Sequence, residues 1–180
     1  QGVPCHHGEQ DTERDRDAQQ PDGIGRGVVA DDSGFRVPVH AGKKIKVTDH
    51  PRLMEIWESS VLNTHDFLKE EDFLYYKEQL PVYFQHVTLF GFEQEGILVG
   101  FMGIAKGNLE MLFIDNNYRG IGIGKKLITY AIDNLQVTKV DVNEQNNQAV
   151  GFYKHIGFNT YKRSDLDGEG KEYPILHMRL

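Results

Sequence analysis

Beyond Lys43 the apolar residues of this 180-residue chain fall into two alternating periods. Leu53, Ile56, Trp57 and Val61 recur at helical spacing behind Asp49 and Pro51, an N-cap and first-turn pair, which predicts a helix with one buried face. A second helix is expected from Lys69 towards Leu80, where Pro81 should end or bend it. Ahead of both, Lys44-Ile45-Lys46-Val47 alternates as a short strand. After them, residues 86–93, 97–105 and 109–114 read as strands joined by turns at Gln94-Glu95-Gly96 and Lys106-Gly107-Asn108, an antiparallel meander. A helix-periodic run at 126–135, a strand at 139–142, a helix at 147–155 and closing strands at 158–163 and 173–180 complete the pattern, with 164–171 as a polar loop. Only the crossover from the meander to 139–142 pairs strands in parallel. An α/β (α+β) fold with a mixed, mostly antiparallel central sheet flanked by helices follows.

Ahead of Lys43 neither period is sustained. The stretches Glu9 to Asp17 and Pro21 to Gly27 are acidic or turn-rich, and such composition buries too little apolar surface to offset its ordering entropy. Residues 1–42 are therefore expected to form a disordered or loosely docked acidic tail, and 43–180 the folded domain. Val28-Val29-Ala30 and Phe35-Arg36-Val37-Pro38-Val39 leave room for an edge strand within it. His6 and His7 adjoin each other, but in an acidic tail they read as solvated rather than as metal ligands, and no metal is expected.

Charge and cysteine content narrow the partners. A net charge of -7 without a basic run argues against nucleic acid, whose binding surfaces cluster Lys and Arg. Cys5 is the only cysteine, so no internal disulfide forms and a reducing compartment is expected. No apolar run approaches the roughly 20 residues of a membrane span. A cytoplasmic protein with no membrane or nucleic-acid partner is the reading.

The candidate chemistry lies at Tyr118-Arg119-Gly120-Ile121-Gly122-Ile123-Gly124-Lys125, between a strand and a helix. Three glycines at alternate positions strip side chains from a turn whose amides can close around a phosphate. The helix that follows adds about half a positive charge there, and Arg119 and Lys125 add whole ones. A dinucleotide fingerprint has different glycine spacing inside repeated strand-helix-strand units, and a P-loop needs four residues between its glycines and a Lys-Ser/Thr pair. Neither fits.

These residues carry a family resemblance. Arg119 to Gly124 is similar to the Arg/Gln-x-x-Gly-x-Gly/Ala signature of the GNAT superfamily of N-acetyltransferases, and Asn146 to Phe158 looks like its Asn-x-x-Ala-x-x-Phe-Tyr-x-x-x-Gly-Phe block. The resemblance covers about 43–180. Small bacterial acetyltransferases also share stretches similar to Thr64-His65-Asp66-Phe67-Leu68 and Val142-Asn143-Glu144-Gln145-Asn146. One departure is Asn116, where the family often has proline, which should alter only a turn.

The resemblance implies an acyl-coenzyme A acyltransferase fold and a site for acetyl-CoA as co-substrate. In that family the fourth and fifth strands splay apart and the pantetheine arm bonds to backbone groups of the fourth, here Leu112, Phe113 and Ile114. The pyrophosphate falls to Arg119, Gly120, Ile121, Gly122, Ile123, Gly124 and Lys125. Asn146 corresponds to an asparagine that contacts pantetheine, and Tyr153 to a tyrosine beside the thioester sulfur. The alternative for Tyr153 is a buried tyrosine with a backbone partner. A phenol of pKa about 10 facing a thiolate of pKa about 8.5 would serve by position as much as by acidity.

The implied reaction is direct transfer to a primary amine, of a small molecule or a peptide. Deprotonating a lysine side chain of pKa about 10.4 at neutral pH costs about 4.6 kcal/mol, against about 1 kcal/mol for an α-amine, so the need for a base depends on the acceptor. Glu110 is the first candidate base, since family members often place an acid or histidine on this strand, with a surface carboxylate as the alternative; a period of 2 would put it on a face with Leu112 and Ile114. His65 and Asp66 are the second pair, with an exposed His65 and a helix-capping Asp66 as the alternative. Phe67, Phe73, Tyr75, Tyr76, Tyr83 and Phe84 are core, or in part wall an acceptor pocket. The family habit of pairing through the sheet allows a homodimer. The competing function is a catalytically weak acyl-CoA-binding sensor or interaction module.

Overall fold

In the computed structural model, residues 26–30 and 36–180 are described. The sheet has the order β1-β2-β3-β4-β5-β6-β8-β7, formed by β1 (Arg26–Ala30), β2 (Arg36–Lys44), β3 (Thr88–Gln94), β4 (Ile97–Ala105), β5 (Asn108–Ile114), β6 (Lys139–Asn143), β7 (Asn159–Ser164) and β8 (Ile175–Arg179). All neighbours pair antiparallel except β5 and β6. The sheet is thus mixed and mostly antiparallel.

Helices α1 (His50–Leu62) and α2 (Glu70–Tyr83) cover one face, and α3 (Ile123–Leu135) and α4 (Asn147–Ile156) the other. Leu53, Ile56, Trp57 and Val61 of α1 are buried with Leu98, Phe101, Met111 and Phe113 of the sheet. Leu127, Ile128 and Ala131 of α3 pack with Val99, Met102 and Val140 on the opposite side. Strand β4 is buried along both faces, which explains its near-continuous apolar run.

Several boundaries differ from the sequence pattern. The expected tail boundary at residue 42 falls inside β2, which pairs with β3 from Val39–Gln94 to Lys44–Phe90, so the sheet begins ahead of it. The remaining residues assigned to the tail, 1–25 and 31–35, with Cys5, His6 and His7, lie outside the described residues. Lys44-Ile45-Lys46-Val47 is not a strand of its own. After Ile45, whose amide still donates to Leu89 O of β3 at 3.2 Å, the chain leaves the sheet for a 3-10 turn at Val47–Asp49, in which Val47 is exposed and Asp49 Oδ2 accepts from the Lys46 amide at 2.9 Å. The ladder shifts at Gly42, whose φ of +89° and whose approach to the Tyr130 ring both exclude a side chain.

Pro81 does not end α2. It sits in the last turn, where its missing N–H removes a single rung, and a 3-10 turn at Phe84–His86 continues the chain before β3 starts at Thr88. Helix α3 begins three residues before the periodic run. Gly122, at φ +85°, lets the chain turn directly into it.

The turn after β5 is tied to α1. Asp115 is buried, receives Arg52 Nη2 at 2.6 Å and caps the Asn117 amide at 3.1 Å, while the Asn116 amide donates to Ser59 Oγ at 3.1 Å. Asn116 therefore opens a 3-10 turn, and the approach to the glycines is fixed without a proline.

Candidate active site

Strands β5 and β6 pair only at Asn108–Lys139 and Leu109–Val140. Beyond these rungs they diverge, so the β5 edge from Glu110 to Ile114 has no β6 partner. A groove opens there, lined by Leu112 and Ile114 of β5, Val142 and Asn143 of β6, the glycine turn, and Asn146, Phe152 and Tyr153 around α4.

The glycine turn closes the groove with donors. Gly120 and Gly122 hold φ of +81° and +85°, a region that L side chains rarely adopt. The first backbone bond into α3 runs from the Lys126 amide to Gly122 O, so the amides of Ile123, Gly124 and Lys125 have no helical partner. No side chain caps this terminus. Gly120, Gly122, Ile123, Gly124, Lys125 and Arg119 all line the groove. Ile121 is exposed outside the lining, and Phe113 turns to the other face of the sheet. Three unpaired amides at a helix terminus, with two cations beside them, fit a diphosphate.

Asn146 lines the groove while its Oδ1 caps α4 through the Ala149 amide at 3.0 Å, leaving its Nδ2 hydrogens for a ligand. Tyr153 is buried at the same groove, and burial pushes its phenol above the ordinary range. The group stays protonated and is available as a hydrogen-bond donor rather than as a strong acid. Its ring packs against Phe152 and Phe158.

A second cavity lies on the α1–α2 side, lined by Trp57, Phe67, Tyr76, Tyr83, Phe113 and Tyr173, with Glu110 and Asp167 as its carboxylates. His65 and Asn143 line both cavities, so the two meet between them. Phe73, Tyr75 and Phe84 do not line it. The 164–174 loop closes over it: Tyr76 donates to Asp167, Tyr83 donates to Glu169 at 3.1 Å, and Lys171 pairs with buried Asp72.

Glu110 reaches this cavity by a β-bulge. Met111 pairs with Gly103 and Leu109 with Ile104, which leaves Glu110 as the extra residue of β5. The expected face shared with Leu112 and Ile114 is corrected accordingly: those two line the groove, whereas Glu110 joins Met111 and Phe113 in the second cavity. Burial raises the Glu110 pKa, the Asp141 charge adds to this, and a hydrogen bond from Asn108 Nδ2 at 2.9 Å opposes it. A carboxylate of raised proton affinity in a largely aromatic cavity suits a base.

His65 and Asp66 are parted. Asp66 is exposed, lines neither cavity and does not cap α2, whose N-cap is Lys69. The Thr64 hydroxyl donates to Ser60 O at 2.8 Å, so its oxygen accepts from His65 Nδ1 at 2.7 Å and Nε2 is left as the acceptor. Burial, with Arg119 adding, pushes the His65 pKa down to about 4. The imidazole is neutral at neutral pH and a poor base for an amine. Asn143, buried with its Oδ1 accepting from the Gln145 amide at 2.8 Å, joins the site without having been a candidate site residue. Its signals are its place in the stretch Val142 to Asn146 that resembles the family and a polar residue ending the apolar alternation of Val140 and Val142.

Tyr153→Phe tests the phenol. Its hydroxyl makes no hydrogen bond with the described residues, so thermal stability should hold while turnover falls about 100-fold. Steady-state kinetics with parallel melting curves check this, and unchanged turnover removes Tyr153 from the chemistry.

Residues 62–180 match the family model of the acetyltransferase (GNAT) domain. The chain is 39% identical over 128 residues to the peptidyl-lysine N-acetyltransferase YjaB of Salmonella typhimurium, spanning 71% of this chain and 88% of that protein. It is 38% identical over 127 residues to the Escherichia coli protein of the same name, spanning 70% and 86%. The solution structure of apo-form YjaB from Escherichia coli superposes with a TM-score of 0.72 at 34% identity, covering 78% of this chain and 96% of that one.

Proposed function

Because the chain belongs to the GNAT acetyltransferase family, we propose that it transfers an acetyl group from acetyl-CoA directly to the side-chain amine of a peptide lysine. The observation that carries this reading is the pair of cavities meeting at His65 and Asn143, one ending in an amide cradle and the other holding a buried carboxylate. The name of the YjaB relatives supports lysine as the acceptor.

Each part of the site would have its own task. The coenzyme thioester supplies an activated acetyl group. Arg119, Lys125 and the amides of 123–125 hold the diphosphate, and the open edge of β5 receives the pantetheine arm. Trp57, Phe67, Tyr76 and Tyr83 enclose the aliphatic stem of the lysine and exclude water. Glu110 takes the ammonium proton, and the desolvating aromatic wall, which disfavours the charged amine, lowers the roughly 4.6 kcal/mol that separates a lysine from its reactive form at neutral pH. Neutral His65 adds no repulsion to the incoming cation. Tyr153 donates a hydrogen bond to the departing sulfur.

Thiol release from acetyl-CoA over a panel of amines tests the reading. A lysine peptide should release thiol well above background and faster than α-amines. Tight coenzyme binding with only background release from every amine would instead leave an acyl-CoA-binding module.

A further inference from the structure

Behind Glu110 lies a row of polar side chains that the proposed reaction does not use. Asn108 Nδ2 donates to Glu110 Oε1 at 2.9 Å and, at a longer 3.4 Å, to Asp141 Oδ2. The other Asp141 oxygen receives His177 Nδ1 at 2.6 Å, and His177 Nε2 meets Ser164 Oγ at 2.8 Å. Asp141 accepts only, so Nδ1 carries a proton, and in the neutral ring Nε2 accepts from the Ser164 hydroxyl. Asn108 has its amide hydrogens facing both carboxylates, and its buried Oδ1 has no partner among the described residues. An unpaired buried acceptor is destabilising. The reverse amide orientation would set oxygen against two anions, so the carboxylates decide the arrangement.

Ser164, His177 and Asp141 have the order of a nucleophile triad. Ser164, however, lines neither cavity, so no acyl group reaches it. Of the five residues in the row, Glu110 alone opens on the acceptor cavity. What the row can influence is Glu110.

We propose that Asp141 and His177 are positioning residues that act through Asn108 to set the charge and orientation of the Glu110 carboxylate. This rests on Glu110 being the base. The Asp141 carboxylate, held by the same Asn108 amide, disfavours ionisation of Glu110 and so makes it a stronger base. His177 works in the opposite sense. Its Nδ1–H holds the Asp141 carboxylate, draws the negative field away from Glu110 and so weakens the base. The burial-raised proton affinity of Glu110 and the contribution of Asp141 to it agree with the arrangement.

The neighbouring charged groups do not short-circuit this coupling. On the cavity side, Glu110 shares its lining with His65, neutral at neutral pH, and with Asp167, which Tyr76 and two backbone amides engage. Beside His177 stand the Tyr161 ring of β7, at 6.3 Å, with Arg179 of β8 over that ring at 5.3 Å. Lys162 is the cross-strand partner of His177 and is exposed. Arg163 is held by Glu144 and Asp165.

The test is the pH profile of kcat/KM for a lysine peptide, read in Asp141→Asn and His177→Gln. Removing the Asp141 charge should move the acid limb down by about half a pH unit or more, and removing the imidazole should move it up. Packing damage alone would lower activity without moving the limb in opposite directions. Limbs that stay in place, or that move the same way, overturn the proposal. Glu110→Gln separates the premise: an acid limb that survives it means Glu110 is not the base. In that event, and for any inactive variant, the titration of the Glu110 carboxyl carbon by NMR decides the coupling directly, since the two substitutions must displace it in opposite directions.

Discussion

Gly124→Glu should weaken acetyl-CoA binding about 100-fold or more without unfolding the protein. A Cβ at Gly124 meets only the Phe152 ring, at 3.6 Å, and the backbone there is not left-handed, so the side chain itself is accommodated. A carboxylate in the first turn of α3 interacts favourably with the helix dipole, which keeps the free protein at least as stable. The same carboxylate occupies the cradle formed by the amides of Ile123, Gly124 and Lys125 and repels a diphosphate. Loss of two charge-assisted hydrogen bonds, each worth about 1.5–3 kcal/mol, corresponds to about 100-fold or more in affinity. Isothermal titration together with melting curves measures both effects. An unchanged affinity would remove the glycine turn from the donor site.

Glu110→Gln is expected to lower kcat on a lysine peptide by about 100- to 10,000-fold while leaving acetyl-CoA affinity unchanged. The separation follows from position, since Glu110 lines the acceptor cavity and not the donor groove. The deficit should also depend on pH in a defined sense. As pH rises towards the lysine pKa, more of the acceptor is already neutral, the base becomes dispensable and the variant approaches the native enzyme. Rates from about pH 7 to about pH 9 test this, and a gap that does not narrow assigns Glu110 a role other than proton removal.

The two sites were unequally legible in the sequence, for physical reasons. The donor side is local. Gly120 and Gly122 announce a turn that only glycine adopts, α3 follows at once, and Asn146 and Tyr153 lie on a single cap-and-helix unit, so spacing along the chain reports spacing in the fold. The acceptor side is assembled from distant segments. The direction of Glu110 depends on a bulge fixed by the pairing of β4 with β5, and a strict period of 2 placed it on the wrong face. The row from Asn108 through Asp141 to His177 exists only because β5, β6 and β8 are neighbours in the sheet. His65 and Asp66 are adjacent in sequence, yet the turn between α1 and α2 separates them into cavity wall and exposed surface.

The same limit applies to the sheet edge. Val39 to Lys44 pairs with β3 across the boundary that composition suggested at residue 42, because the partner strand stabilises a segment whose own pattern is weak. Pro81 shows the converse, a strong local breaker tolerated because it falls in a last turn.

Direct transfer to lysine is tested most sharply by a single-turnover reaction of the protein with acetyl-CoA and a peptide bearing both a free α-amine and one lysine, followed by tandem mass spectrometry of the peptide. The expected product carries one acetyl group on the lysine side chain for each coenzyme A released. An acetyl group confined to the α-amine, or coenzyme A bound with no peptide modified, would contradict it.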